Sequence, residues 1–421
     1  MTTSLLVFLM MVFAFGLVSR RLQSTLLTGP IVFTAAGLIC GGFVAAESRF
    51  DFDLDLLLWP AKLALALVLF TDATHVRVRS LFVRLGVVSR LLAFAMPMVI
   101  AFGTIAAALV FDKLTLWEAA ILAVVLAPTD AGLGQAIVHS TRVPSGVRQS
   151  LNVEAGLNDG LAMPFFTLFI GLARLDDPSK DTSILQFTLE QIGYGVAIGT
   201  LFGFVGGWLL QQARQRHWVT DTYHQLTLVA VALASFVVAL EVGGNEFIAP
   251  FVAGLFVKWS FEDASQEMES FSEAWGGSLN SLVFFTFGMV VVQDLDQLTL
   301  SSLVFAVLSL AVVRMLAVAI SLIGAGLRPA SVLFIGWFGP SGLASIVLGL
   351  ILVKKGALIP GQEIIEGAVM ATVLLSVVAH GVTTNIGIKL YAGRVGALPP
   401  TAPEREADEG LTRLDLTADR G

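Results

Sequence analysis

The apolar residues of this chain fall into repeated blocks of about 17–25 residues, separated by short polar segments. A helix of that length crosses the hydrocarbon core of a bilayer, where irregular backbone cannot face lipid. Only 14% of the 421 residues are charged, whereas soluble domains carry about 25%. So little charge cannot cover a soluble globule of this size. The pattern therefore predicts an all-α polytopic membrane protein.

Thirteen blocks are predicted to be transmembrane spans. Lys and Arg favour cytoplasmic segments. With the N-terminus outside, fourteen of the 25 basic residues face inward, seven face outward, Arg314 lies within a span and three lie near the C-terminus. This alternation favours thirteen spans over twelve or fourteen, and predicts an outside N-terminus and a cytoplasmic C-terminus. The predicted spans are 2–19, 26–45, 56–73, 87–110, 116–139, 148–173, 184–210, 225–241, 245–258, 279–292, 300–322, 330–352 and 364–390.

The segments at the two ends carry different signals. The first span lacks a preceding basic segment and is followed by Arg20 and Arg21, so it is predicted to be a retained helix and not a cleaved signal peptide. Residues 395–421 are rich in proline and then in charge, which predicts a disordered cytoplasmic tail. Cys40 is the only cysteine, so no disulfide framework is expected.

Several ionisable residues lie inside the predicted spans. Each costs about 2.5–3.5 kcal/mol on insertion scales, so each marks a candidate functional position. In the sixth span, Glu154 and Asn158 are four residues apart and share one helix face, whereas Asp159 lies about 100° further round. One acid can therefore be structural while the other stays accessible from a water-filled cavity. The ionisable residues are Asp72, Asp130, Glu154, Asp159 and Arg314.

Two spans carry helix-breaking residues near their centres. The fifth has Pro128 and Gly132 around Thr129 and Asp130, and the twelfth has the run Gly339, Pro340, Ser341, Gly342. Paired interruptions are the best sequence indicator of a transporter's binding site, because free carbonyls and half-helix ends can bind a cation or offset buried charge. Spans 4–6 and 11–13 begin on opposite sides, so the two triplets are predicted to be inverted repeats.

Other functions remain open at this point. Asp130 could be a hydrogen-bonded link between helices, and Glu154 with Arg314 could form a structural ion pair, whereas Asp159 has no evident fixed positive partner. A cation channel or uniporter could use the same acids as a selectivity site. An enzyme is disfavoured, because the five histidines appear near span ends or in loops without metal-ligand spacing and no Gly-x-Ser-x-Gly motif occurs. No cofactor is expected, and the scattered basic residues do not indicate nucleic-acid binding.

The ordered motifs resemble monovalent cation:proton antiporters of the NhaP-type Na⁺/H⁺ exchanger family. The resemblance is carried by Glu154-x-x-x-Asn158-Asp159 after an interrupted span with Thr129-Asp130, and it extends over nearly the whole chain. It also includes Arg314 and the segments 69–72 and 336–345. It implies exchange of a monovalent cation, Na⁺ first and Li⁺ or K⁺ as alternatives, for H⁺.

The resemblance also implies roles for individual residues. Asp159 would be the cation- and proton-binding carboxylate, and Asn158 would fix its surroundings. Na⁺ would be held by Asp159, by Asp72 across the cavity and by the Thr129 carbonyl. Asp130 would help neutralise a helix end, and Glu154 would pair with Arg314.

The implied architecture is a transmembrane domain, residues 1–394, that forms a homodimer in the cell (inner) membrane. Its core would contain residues 87–173 and 300–390. The dimer scaffold would contain 2–73 and 225–292, with 184–210 as the linking span. The core would move by elevator-like alternating access.

Three positions depart from the family pattern. Relatives commonly carry Arg where this chain has Ser341, a hydroxyl residue where it has Ala155, and Glu where it has Asp72. These departures bear on ion preference and pH response. A single titrating acid in the Asn158-Asp159 pair, where electrogenic relatives resemble Asp-Asp, predicts electroneutral exchange of one cation for one proton.

Overall fold

The computed structural model describes residues 2–22, 27–46, 54–74, 86–138, 140–175, 183–261, 277–355 and 359–396, with residues 398, 402 and 404. Helices make up nearly all of this part of the chain, and no β-strand occurs among its residues. The all-α prediction is therefore confirmed. His75, His139 and most of the predicted tail lie outside the described residues.

The helices follow one another with short connections. Those before the first interruption are α1 (Thr2–Leu22), α2 (Gly29–Ala46), α3 (Leu54–Thr74) and α4 (Val87–Val110). The interrupted fifth span comprises α5 (Leu116–Leu126) and α6 (Ala131–Val138). Next come α7 (Ser145–Leu175), α8 (Ser183–Gln215), α9 (Asp221–Glu241), α10 (Ile248–Ser260) and α11 (Gly277–Gln293). The last are α12 (Leu300–Ser321), the interrupted pair α13 (Pro329–Trp337) and α14 (Leu343–Lys355), and α15 (Gln362–Val395).

Each predicted span coincides with one helix or with one interrupted pair, which is consistent with thirteen spans. Within the described residues, six helices are long and apolar enough to cross a bilayer unaided, and further apolar helices are shorter. The shorter ones include α5 and α14, halves of the interrupted spans. Helix ends differ from the predicted ones by several residues, because the long helices continue past the apolar blocks into polar segments.

Local sequence accounts for the interruption of the fifth span. Thr115 begins α5 with a capping box, in which its hydroxyl accepts from the Glu118 amide and the Glu118 carboxylate accepts from the Thr115 amide. Pro128 then lacks the amide hydrogen needed to continue the helix. The chain leaves helical geometry and resumes it at Ala131.

The helices pack in two neighbouring groups. α5, α6, α7, α14 and α15 contact one another around the two interruptions, and α4 and α12 pack beside them. A second group contains α2 against α11, and α10 against α3 and α8. Small residues allow the close approach: a Cβ at Gly37 or Gly288 would overlap backbone of the partner helix. α3 belongs to the second group and contacts the first group through α7 and α14.

Three described residues of the predicted tail pack against the helices. Leu398, Ala402 and Glu404 are buried. The Glu404 carboxylate accepts from the Arg328 amide at 2.9 Å and from the Ser331 hydroxyl at 3.0 Å, at the beginning of α13. An acidic side chain at a helix N-terminus is favourable, so this contact holds Glu404 at the beginning of α13.

Candidate ion site at the crossing of the interrupted helices

The two interruptions meet through direct hydrogen bonds. The Asp130 amide donates to the Pro340 carbonyl at 2.7 Å, and the Ser341 hydroxyl donates to the Leu126 carbonyl at 3.1 Å. Each interruption therefore satisfies backbone groups that the other helix pair leaves without intrahelical partners. The inverted pairing inferred from sequence brings Thr129 and Asp130 next to Pro340 and Ser341.

The Asp130 carboxylate caps two helices at once. Its Oδ1 accepts from the Gly132 amide at 2.6 Å in α6, and its Oδ2 accepts from the Leu343 amide at 2.9 Å in α14. A Cβ at Gly342 would overlap this carboxylate, so glycine permits the contact. The negative charge thus lies at the positive ends of two half-helices.

The side chain of Arg314 lies near the C-terminal end of the half-helix α13. Arg314 Nη2 is 3.0 Å from Glu154 Oε1 and 3.2 Å from Oε2, and both side chains are buried. The guanidinium packs on Gly339, just after the C-terminal end of α13, where a Cβ would overlap it. A π-helical turn at Ser309–Val313 precedes Arg314 within α12. Helix C-termini favour positive charge, so the ion pair and α13 stabilise each other.

Asn158 ties α7 to the first interruption. Its Oδ1 accepts from the Thr129 amide at 3.2 Å, and its Nδ2 donates to the Thr129 hydroxyl at 2.7 Å. Both ends of the amide are engaged and the residue is buried. Asn158 therefore fixes the backbone of Thr129 beside the next residue along α7, Asp159.

Asp159 differs from Asp130, Glu154 and Asn158 in its hydrogen bonding. It is 4% exposed, yet among the described residues its Oδ1 has no hydrogen-bond partner. The Asp72 side chain of α3 packs on Gly156, one turn earlier in α7, and the Phe251 ring of α10 packs on Gly160. The segments that carry Asp159, Asp72 and Asp130 thus meet at the crossing. Such an arrangement favours a bound proton or cation.

A separate small cavity adjoins the crossing on the side of α6. Its volume is about 10 Å³, room for about one water molecule, and its lining does not include Asp159 or Asp72. Ala155, one of the three positions noted in the sequence, lies in its wall. The lining residues are Thr129, Asp130, Gly134, Ile137, Val138, Leu151, Asn152, Ala155, Phe338 and Pro340.

Sequence reasoning missed polar contacts that depend on distant segments. Lys62 lies within α3 and pairs with Glu246 at 3.2 Å. His380 was assigned near a span end, but it is buried inside α15 and its ring nitrogens face the Ser376 and Trp337 carbonyls. Asn280, in the first turn of α11, approaches Gly132. Its position inside an apolar block was the only available signal.

These features define a class: a multi-pass helical membrane protein with two interrupted helices crossing beside buried acids, the arrangement of secondary transporters. The family model described as "Sodium/hydrogen exchanger, transmembrane" matches residues 5–389. The chain belongs to this family, and the resemblance noted in the sequence is confirmed.

Individual relatives are distant. The chain is 25% identical to a Na⁺/H⁺ antiporter of Schizosaccharomyces pombe over 66% of this chain, and 24% identical to the K⁺/H⁺ antiporter NhaP of Alkalimonas amylolytica over 87%. It spans 65% and 62% of the length of these two proteins. The sodium proton antiporter MjNhaP1 of Methanocaldococcus jannaschii has a similar fold, with a TM-score of 0.75 at 17% identity, covering 95% of this chain and all of that one.

Proposed function

We propose that this chain is a secondary antiporter that exchanges a monovalent cation for H⁺ through the carboxylate of Asp159. The observation that carries the proposal is the Asp159 oxygen, which is buried beside the crossing without a hydrogen-bond partner among the described residues. A buried, unpaired charge is strongly unfavourable. A proton or an alkali cation would relieve it.

The neighbouring groups supply suitable cation ligands. Na⁺, Li⁺ and K⁺ are hard cations, and carboxylate and carbonyl oxygens suit such ions. Asp159, Asp72 and the Thr129 carbonyl would hold the cation, with Asn158 fixing Thr129 through its two hydrogen bonds. Family relatives are named for Na⁺/H⁺ and for K⁺/H⁺ exchange. We propose Na⁺ as the first substrate, with K⁺ as the alternative.

Competition for Asp159 is sufficient to couple the two fluxes. The helices that carry Asp159 change the side of the membrane to which it is open when either H⁺ or the cation neutralises its carboxylate. They do so poorly when the site is empty and charged. Asp130 and Glu154 do not add a second exchangeable proton, because the carboxylate of each is held by fixed hydrogen-bond donors at the crossing. Exchange is therefore electroneutral, with one cation for one proton.

The moving unit would be the helix group around the interruptions, with spans 4–6 and 11–13 as its core. The helices 2–73 and 225–292 would form the scaffold and the homodimer interface, in a cell membrane with the N-terminus outside. The facing elements at Asp159 support this division, since Asp72 and Phe251 come from α3 and α10 and pack on glycines of α7. Glycine contacts of this kind allow two surfaces to slide.

Exchange by purified protein in sealed proteoliposomes tests the proposal. An inward gradient of Na⁺, Li⁺ or K⁺ is applied at several pH values, and internal pH and membrane potential are recorded with separate dyes. We expect cation-driven pH change in the wild type, no response of the potential dye, and background rates in Asp159→Asn. Asp112→Asn, at an exposed loop position, is the matched control and should exchange normally.

Different outcomes reject different parts of the proposal. Exchange retained by Asp159→Asn removes this residue from the central role. A potential change that persists with leaks controlled refutes the stoichiometry. Cation flux without an accompanying proton flux would indicate a channel or uniporter.

A further inference from the structure

Asn280 reaches across the boundary between the two helix groups. It lies one turn from the beginning of α11 at Gly277, whereas Gly132 lies in the first turn of α6. The Asn280 Nδ2 atom is 2.6 Å from the position that a Cβ on Gly132 would occupy, and Asp130 Oδ1 is 2.9 Å from the same point. The amide of Asn280 and the carboxylate of Asp130 therefore both lie within 3 Å of this point beside Gly132.

The side-chain oxygen of Asn280 has no structural role among the described residues. Asn280 Oδ1 is buried, and among the described residues it has no hydrogen-bond partner. A buried carbonyl oxygen without a donor is unfavourable and needs an explanation. Asp159 Oδ1 is in the same condition, and its neighbour along α7, Asn158, bonds to Thr129, the residue next to Asp130.

The chemistry of an amide oxygen suits this place. Carbonyl oxygens of asparagine are ordinary ligands of hard cations. Asp130 and Asp159 are already buried acids at the crossing, so another carboxylate would add a further negative charge there. A neutral oxygen adds a ligand without adding charge. It also contributes to binding without titrating, which leaves Asp159 as the proton-coupled group.

We propose that Asn280 is a cation-selectivity residue, whose side-chain oxygen is a ligand to the dehydrated cation at Asp159 in this conformation. The inference rests on the proposed function. Because α11 belongs to the helix group opposite the crossing, motion of the core withdraws this ligand. Asn280 therefore strengthens cation binding on one face of the membrane and not on the other.

The experiment compares Asn280→Ala with Ser281→Ala, the adjacent position whose hydroxyl bonds to the Gly277 carbonyl within α11. Na⁺, Li⁺ and K⁺ are offered in turn to everted and to right-side-out vesicles. We expect Asn280→Ala to raise KM for the preferred cation by about tenfold on one face only, and to change the KM ratios among the three cations. Ser281→Ala should match the wild type, and thermal stability should be unchanged in both.

A second variant separates ligation from packing. Asn280→Asp keeps an oxygen at the same distance along the side chain, so it should lower KM below that of Asn280→Ala, while its added titrating carboxylate should make KM depend more steeply on pH than in the wild type. Equal KM values for Asn280→Ala and wild type would overturn the inference. A uniform rise for all three cations on both faces, with lower thermal stability, would overturn it as well. Asp159→Asn is measured in parallel: if it is inactive while Asn280→Ala is normal, only this inference fails, whereas an active Asp159→Asn rejects the proposed function itself.

Discussion

Asp130 and Asp159 are both buried acids at the crossing, 8% and 4% exposed, but their surroundings differ. The Asp130 carboxylate accepts from the backbone amides of Gly132 and Leu343. Asp159 Oδ1 accepts from no donor in the described residues. The comparison teaches that burial alone does not distinguish a structural acid from an exchangeable one. Under the proposed function, the supply of hydrogen-bond donors distinguishes the structural acid from the exchangeable one.

A third acid extends the comparison. Glu154 lies in the same helix as Asp159 but contacts Arg314 through both carboxylate oxygens. Its charge is thus compensated by a fixed cation, whereas the charge of Asp159 would be compensated by a mobile one. Acids with fixed partners should govern stability, and the acid without one should govern transport.

The largest expected effect on stability is at the Glu154–Arg314 pair. Neutralising one member, as in Glu154→Gln or Arg314→Met, leaves the other charge buried and should lower the free energy of unfolding by about 3–5 kcal/mol. The double variant should recover part of that loss, because no uncompensated charge remains. Thermal unfolding of the purified protein in detergent measures this. Single variants as stable as the wild type would contradict the assignment of Glu154 as an acid with a fixed partner.

Replacement of Asp130 should have a smaller effect. Asp130→Ala removes the acceptor of two backbone amides, and we expect a loss of about 3 kcal/mol in the free energy of unfolding. Asp130→Asn should lose less, since one amide oxygen remains. Asp159→Asn is the matched variant and should unfold at or above the wild-type temperature, because it removes an unpartnered buried charge. If the two positions have equal effects on stability, the contrast between them is wrong.

The smallest effect is expected at Ser341. Its hydroxyl donates to the Leu126 carbonyl at the end of α5, which is a neutral contact. Ser341→Ala should lower the free energy of unfolding by about 1 kcal/mol and leave exchange in place. Ser321→Ala, which removes a buried hydroxyl bonded within its own helix, is the control and should have less effect. Loss of exchange in Ser341→Ala alone would give this position a role in transport.

Much of the fold was predictable from sequence, because a lipid environment imposes apolar blocks of defined length and leaves helices as the available spanning element. The interruptions were predictable too, since Pro128 and Pro340 each lack an amide hydrogen within a long apolar block. The pairing of spans followed from their inverted topology.

Contacts between distant segments were not predictable in the same way. The Leu343 amide bonds to Asp130 across 213 positions of the chain, and no local spacing encodes that partner. In the sequence, Asn280 is one polar residue in an apolar block. Only the structure shows that its amide lies next to Gly132. His380 and Glu404 likewise became interpretable only through the backbone groups that they contact.

The most direct measurement is proton release when a cation binds to purified protein in weakly buffered detergent solution. If one carboxylate holds either ligand, Na⁺ should release protons from the wild type at a pH where the site is protonated, and none from Asp159→Asn. The Asp130→Asn variant, if folded, should still release them. Proton release that persists in Asp159→Asn would contradict the account, because the exchanged proton would then come from another group.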